Sequence, residues 1–166
     1  IIPAYNESKT IRSILDRILT VELKNNISKE IIIVNDCSKD NTQEIIEKYI
    51  DEHPVINIQL YNHEINQGKG AALHTGIEKA SGDFVVIQDA DLEYDPEEYN
   101  LLLGPILDGQ ADVVYGSRFL GGKPHRILFY WHSIGNKWLT GLSNMLTNLN
   151  LIHQGTLVIY ELTLNN

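Results

Sequence analysis

The sequence predicts an α/β domain: a mostly parallel sheet with helices on both faces. Three observations predict it. Between Ile1 and Gly116, short β-branched runs alternate with segments of helical period. Ile31-Ile32-Ile33-Val34 is apolar without interruption, as a strand buried on both faces must be. The strand–helix order repeats, so successive strands are joined by crossovers and lie parallel.

The elements follow in order. Ile1 to Ala4 is a short apolar strand, and the chain reads as a fragment that begins inside it. Ile11, Ile14, Leu15, Ile18 and Leu19 recur at helical spacing, with Asn6 or Ser8 as the cap. The second strand is Ile31 to Val34. Ile45, Ile46, Tyr49 and Ile50 mark a second helix, capped by Asp40 or Asn41. Val55 to Tyr61 alternates like a strand. Gly70 to Ala80 reads as a third helix, closed by Ser81-Gly82. Phe84 to Ile87 is the fourth strand. Asp95 caps a fourth helix with Pro96 at its first position, running to about Leu107. Asp112 to Gly116 is the fifth strand. From Arg126 to Leu149 a helical period returns, interrupted by Gly135 and Gly141, and Thr156 to Tyr160 is a short β-like stretch.

The chain has 166 residues, 43% of them hydrophobic and 21% charged, which suits one compact domain and excludes a disordered or collagen-like chain. Its net charge of −9 makes it a poor partner for nucleic acid, whose phosphates need a basic surface. One cysteine, Cys37, excludes an internal disulfide and a cysteine-cluster zinc site, and points to a reducing, cytoplasmic setting. No apolar run reaches the length of a membrane span, and no signal-peptide pattern is present.

In parallel sheets of this kind ligands bind at the carboxyl ends of the strands, so the residues after each strand carry the chemistry. After the first come Pro3, Ala4, Tyr5, Asn6 and Glu7: a ring that can stack on a base and an acid that can accept from base or ribose, or a capped turn. After the second, Asp36 can accept from a base or sugar hydroxyl, while Asp40 to Thr42 read as a helix cap. Cys37 reads as a small filler rather than a nucleophile. After the third, Gly68-Lys69-Gly70 is either an anion-holding helix start or a Gly-rich helix entry; the Walker A spacing is absent. After the fourth come Asp89, Ala90, Asp91 and Glu93. Two carboxylates this close repel unless a cation bridges them, and a hard dication such as Mg²⁺ or Mn²⁺ suits an all-oxygen set. The competing reading is an exposed acidic turn. After the fifth, Arg118 can pair with phosphate oxygens or is a surface arginine. The six histidines show no metal-like pairing.

This set resembles the family 2 glycosyltransferases, whose fold is GT-A, a Rossmann-like mostly parallel sheet. The resemblance rests on Pro3 to Glu7, Val34 to Thr42, Asn66 to Gly70, Asp83, Asp89-Ala90-Asp91, Asp95-Pro96-Glu97 and Gly116-Ser117-Arg118-Phe119. It spans roughly residues 1 to 151 and is most similar to the polyprenyl-phosphate sugar synthases, dolichyl-phosphate mannose synthase among them. It implies one GT-A domain over residues 1–166, truncated at both ends, with an atypical tail from 151. It implies an inverting, metal-dependent hexosyltransferase that moves a sugar from a GDP- or UDP-sugar to a lipid phosphate. The donor would be held by Pro3, Ala4, Tyr5, Glu7, Asp36, Gly68, Lys69, Asp89, Ala90, Asp91, Arg118 and Arg126. Asp89, Asp91 and Glu93 would hold the metal, with Asp91 and Arg118 catalytic. The segment 126–149 would be a core or subunit-packing helix, or would lie at the cytoplasmic face of a membrane. Ile152 to Ile159 departs from the pattern: His153 stands where an Asp is expected, and the Lys is absent. That departure supplies the alternative of a chain that binds nucleotide or nucleotide sugar without transferring it. A nucleotidyltransferase is disfavoured by Tyr5-Asn6-Glu7 where a basic Gly-rich loop belongs. A phosphoacceptor receiver is disfavoured by Arg118 where its Lys belongs.

Overall fold

A computed structural model of the chain describes residues 1–92, 94–117 and 156–161. The chain divides into two units, residues 1–114 with 158–166, and residues 115–157. The site described below belongs wholly to the first.

Strands β1 (Ile2–Ala4), β2 (Ile31–Asn35) and β3 (Ile58–Asn62) form a parallel sheet in the order β1-β2-β3. Its register sets Ala4 opposite Asn35 and Asn35 opposite Asn62, so the three strands end level. Every residue of β2 is buried, as its unbroken apolar run requires. Strand β4 (Phe84–Ile87) comes alongside β1: the Ile1 nitrogen donates to the Val86 carbonyl at 2.7 Å, and the Gln88 amide donates to the Ile1 carbonyl at 3.0 Å. These two bonds are the slanted pair of a parallel ladder.

The last strand, β6 (Thr156–Glu161), pairs antiparallel with β4, Val158 opposite Ile87 and Glu161 opposite Phe84. Strand β5 (Val113–Ser117) is the third member of that sheet. The sheet is therefore mostly parallel, as the alternating pattern predicts, with one antiparallel insertion. The β3 boundary also moves. Val55 is 96% exposed because Ile56 turns back to hydrogen-bond the His53 carbonyl, so the strand starts at Ile58 rather than Val55.

Helix α1 (Ile11–Thr20) buries Ile11, Ile14, Leu15 and Ile18. Lys29 donates to the Ile18, Leu19 and Val21 carbonyls, which closes the negative end of the helix with a cation. Helix α2 (Thr42–Glu52) packs on α1, and Tyr49 donates from its buried hydroxyl to Asp16 at 2.8 Å. Helix α3 (Lys69–Lys79) meets the sheet through Ala72 and Gly76, small residues that let it lie close to Ile32 and Val34. It starts one residue before the expected Gly70 and ends on Ala80 in extended backbone, not on Gly82. The segment expected to form one helix from Asp95 is split. A 3₁₀ turn, Pro96–Glu98, precedes α4 (Tyr99–Leu107), and the Asp95 carboxylate accepts from the Glu97 amide at 3.2 Å.

Candidate functional site

The carboxyl ends of β1, β2 and β4 and the entry to α3 open onto one cleft of about 390 Å³. Pro3, Ala4, Tyr5, Glu7, Asp36, Gly68, Lys69, Asp89, Ala90 and Asp91 all line it, joined by Asn66 and Ala72. Every site residue inferred from the sequence that lies among the described residues is thus in one place. Glu93, Arg118 and Arg126 lie outside the described residues, as do His125, His132, His153 and the segment 126–149. A larger cavity of about 500 Å³ sits at the amino ends of the strands. Two of its charged groups are already committed: Lys29 caps α1, and Glu30 accepts from Ser81 and Gln59.

The loop after β1 is shaped by the loop after β2. Asn6 has φ 57°, left-handed backbone that Asn tolerates better than most residues. Its amide donates to Ser38 Oγ at 3.0 Å, and its Oδ1 accepts from the Lys39 amide at 2.8 Å. Asn6 and Ser8 therefore tie two loops together instead of capping α1, which begins beyond Thr10. The Glu7 and Ser8 amides donate to Thr42 Oγ1 and Asp40 Oδ2. Glu7 Oε2 accepts from Thr10 Oγ1 at 2.6 Å. Tyr5, 42% exposed, projects from this braced turn into the cleft.

Asp40 is the strut of that brace. Burial pushes its carboxyl up, but hydrogen bonds from Thr42 and Ser8 outweigh it and hold the pKa at about 2. A carboxyl depressed from about 3.9 stabilises the fold above that value and loses its contribution as pH falls through the folded pKa. Asp40→Ala should lower unfolding free energy by about 1–2 kcal/mol at pH 7, after allowance for solvent screening. The gap to the unsubstituted protein should close between pH 4 and pH 2 in urea titrations. A gap constant over that window would remove Asp40 as the brace.

Asp36 is buried at the end of β2. Its Oδ1 accepts from the Gln67 amide at 2.9 Å and from His63 Nδ1 at 2.7 Å, and its Oδ2 accepts from the Gly68 amide at 2.7 Å. Burial alone would raise its pKa; these donors prevail and hold it below the usual carboxylate value. The other ring nitrogen, His63 Nε2, lies 2.9 Å from Thr75 Oγ1, a second contact that fixes the orientation of the ring. The sequence expectation for Asp36, an acceptor aimed at a ligand, is refined. Three acceptor positions serve the protein, and the carboxylate fixes the Gln67-Gly68 turn from below. Histidine 63 was not singled out in the sequence. The register that pairs Asn35 with Asn62 places residues 36 and 63 side by side, and that was the available signal.

Gly68 has φ 88° and ψ 162°, backbone essentially reserved for glycine, and nothing lies within 4 Å of where a Cβ would stand. Lys69 opens α3 and reaches across the cleft, its Nζ 2.5 Å from Asp89 Oδ1. Asp89 and Asp91 both face the cleft that Tyr5 faces, 26% of the Asp89 side chain being exposed. The turn carrying them is anchored by Gln88, 1% exposed. Its amide donates to the Asp89 and Tyr94 carbonyls, and its carbonyl accepts from the Tyr99 hydroxyl at 2.8 Å. Gln88 is a second residue that sequence reasoning passed over, since its side chain points into the protein and not at the cleft.

The donor set fits a hard dication: two carboxylates on one face of a cleft, both oxygen ligands. Among the described residues no group of three acidic, histidine or cysteine side chains is gathered as a closed cage. Two protein carboxylates leave coordination positions for oxygens of a ligand, as an open site requires.

The chain resembles known proteins over most of its length. The family model described as "Glycosyl transferase family 2" matches residues 1–160. A dolichyl-phosphate beta-glucosyltransferase of Trichomonas vaginalis is 36% identical over 156 residues, covering 87% of this chain and 47% of that protein. A UDP-N-acetylglucosamine–dolichyl-phosphate N-acetylglucosaminyltransferase of Methanococcus voltae is 33% identical over 159 residues, covering 88% and 61%. The chain thus spans about half the length of the curated relatives it matches. The glucosyl-3-phosphoglycerate synthase of Mycobacterium tuberculosis, solved with Mn²⁺, UDP and glucosyl-3-phosphoglycerate, superposes with a TM-score of 0.67 at 22% identity, over 96% of this chain and 55% of that one. That likeness shows the fold, which is GT-A. Fold, family model and relatives agree, and the chain belongs to glycosyl transferase family 2.

Proposed function

We propose that this domain binds a nucleotide-sugar donor with a divalent cation and transfers the sugar, with inversion, to a polyprenyl or dolichyl phosphate. The carrying observation is the convergence of Tyr5, Asp36, Lys69, Asp89 and Asp91 on one cleft at the carboxyl ends of the strands. Similarity to transferases named for dolichyl phosphate supports the acceptor class.

Tyr5 stacks on the base, and the acceptor position left on the Asp36 carboxylate takes a base N–H. Gly68, with open space above its Cα, lets backbone amides approach the diphosphate at the positive end of α3. Lys69 adds charge there. Asp89 and Asp91 hold Mg²⁺ or Mn²⁺, which when bound neutralises charge on the departing diphosphate. Glu93 as a further metal ligand, and Arg118 and Arg126 on the phosphates, rest on the family resemblance. A phosphate oxygen of the acceptor bonds to the anomeric carbon from the opposite side as the carbon–oxygen bond to the diphosphate breaks. The acceptor is already an anion, so no strong general base is needed. Among the described residues no helix is long and apolar enough to cross a membrane. A lipid-phosphate acceptor puts the working cleft at a membrane surface, on its cytoplasmic face.

Calorimetry with UDP, GDP and their sugars, with Mn²⁺, Mg²⁺ or EDTA, tests donor binding, and sugar incorporation into a polyprenyl phosphate tests transfer. Absence of metal-dependent binding by every nucleotide sinks the reading, and binding without transfer reduces it to a nucleotide-binding chain. Within the site, Tyr5→Ala should weaken nucleoside diphosphate binding about 10- to 100-fold, the worth of one base–aromatic stack. Tyr5→Phe should bind as well as the unsubstituted protein, and equal affinity of the alanine variant would take the ring out of the site.

A further inference from the structure

Lys69 is the only basic side chain among the described residues lining the cleft, and it is already paired. Its ammonium lies 2.5 Å from Asp89 Oδ1, while 56% of its side chain is exposed. A dication bound to the Asp89 carboxylate brings its charge close to this ammonium, and two like charges within about 4 Å repel strongly even at a protein surface. We infer that Lys69 is a resident counter-ion at Asp89, which a divalent cation must displace, so that metal and nucleotide diphosphate bind cooperatively and not independently. The inference rests on the proposed metal site and adds an order to it.

The displaced ammonium has somewhere to go. Lys69 is the first residue of α3, next to Gly68, whose unusual backbone leaves open space beside it. A diphosphate placed there accepts the lysine as the metal takes the carboxylate. Each ligand then removes a cost for the other, which is a coupling free energy and reciprocal by linkage. Without nucleotide, Lys69 protects the acidic pair from adventitious cations. Without metal, it is held away from the phosphates.

Titration calorimetry of the whole chain with Mn²⁺ alone, with UDP or GDP alone, and with both present measures this coupling. Lys69→Met keeps the side chain's length and removes its charge; Lys69→Arg keeps the charge. Lys69→Met should take Mn²⁺ about tenfold tighter in the absence of nucleotide. The factor by which nucleotide improves Mn²⁺ affinity should shrink about tenfold, while Lys69→Arg keeps most of that factor. If Lys69→Met takes Mn²⁺ alone no more tightly than the unsubstituted protein, while nucleotide still binds with Mn²⁺, the counter-ion role is wrong and the metal site stands. If no variant binds Mn²⁺ with or without nucleotide, the metal site and the counter-ion fall together.

Discussion

Asp91→Ala should lose the metal-dependent part of nucleotide affinity, with UDP or GDP binding in Mn²⁺ falling about 100-fold, about 2.7 kcal/mol, to the level seen in EDTA. The substitution is placed at Asp91 and not at Asp89 for a physical reason. Asp89 is held by Lys69, so its removal would release a cation into the cleft and blur the result. Asp91 is an exposed turn residue that lines the same cleft. Urea unfolding of the variant, run beside the titrations, separates any effect on the fold from loss of the metal. Asp91→Asn, which keeps the shape and removes the charge, should behave like the alanine variant. Undiminished Mn²⁺-dependent affinity in either would refute the assignment of Asp91 to the metal, whatever becomes of the rest of the cleft.

The placement of that cleft was legible in the sequence because two strong signals agreed. Ile31 to Val34 reads as a doubly buried strand, Asp36, Asp89 and Asp91 each follow a strand within a few residues, and Lys69 opens the helix after β3. Local pattern carries that much. It does not carry pairing between distant segments. Thr156 to Glu161 has a β-like composition, but its antiparallel place against β4 depends on contacts more than 60 residues away. The same limit hid Gln88 and His63. Both are polar, both point inward, and each becomes informative only when its partner from another element is known: Tyr99 for the first, Asp36 for the second. Boundaries slipped where turn chemistry overrode periodicity, as with Val55, which alternates like a strand yet lies in a turn. Asn6 and Cys37, at φ 57° and 59°, adopt left-handed backbone that no alternation pattern announces.

Asp36 is where fold and site meet, and Asp36→Ala should be the most damaging single change among the described residues of the cleft. The carboxylate answers three donors, two of them backbone amides in a turn that has no other regular structure. Removing it leaves the Gln67 and Gly68 amides and the His63 Nδ1–H without an acceptor in a buried setting, each worth about 1–3 kcal/mol when left unmade. Water entering the space left by the side chain recovers part of that, so the expected loss of unfolding free energy is about 3–4 kcal/mol. Asp36→Asn should recover little. Its amide nitrogen presents a donor where one or two of the three donors already point, and only one oxygen remains to accept. The His63→Ala variant separates the two functions. It should destabilise by less, about 1–2 kcal/mol, because the backbone amides keep their carboxylate. Nucleotide affinity should fall in all three variants, most in Asp36→Ala, because the Gly68 amide must be held in place to face a diphosphate. If Asp36→Ala unfolds within 1 kcal/mol of the unsubstituted protein, or if it binds UDP and GDP unchanged while stably folded, then the turn is organised by something other than this carboxylate.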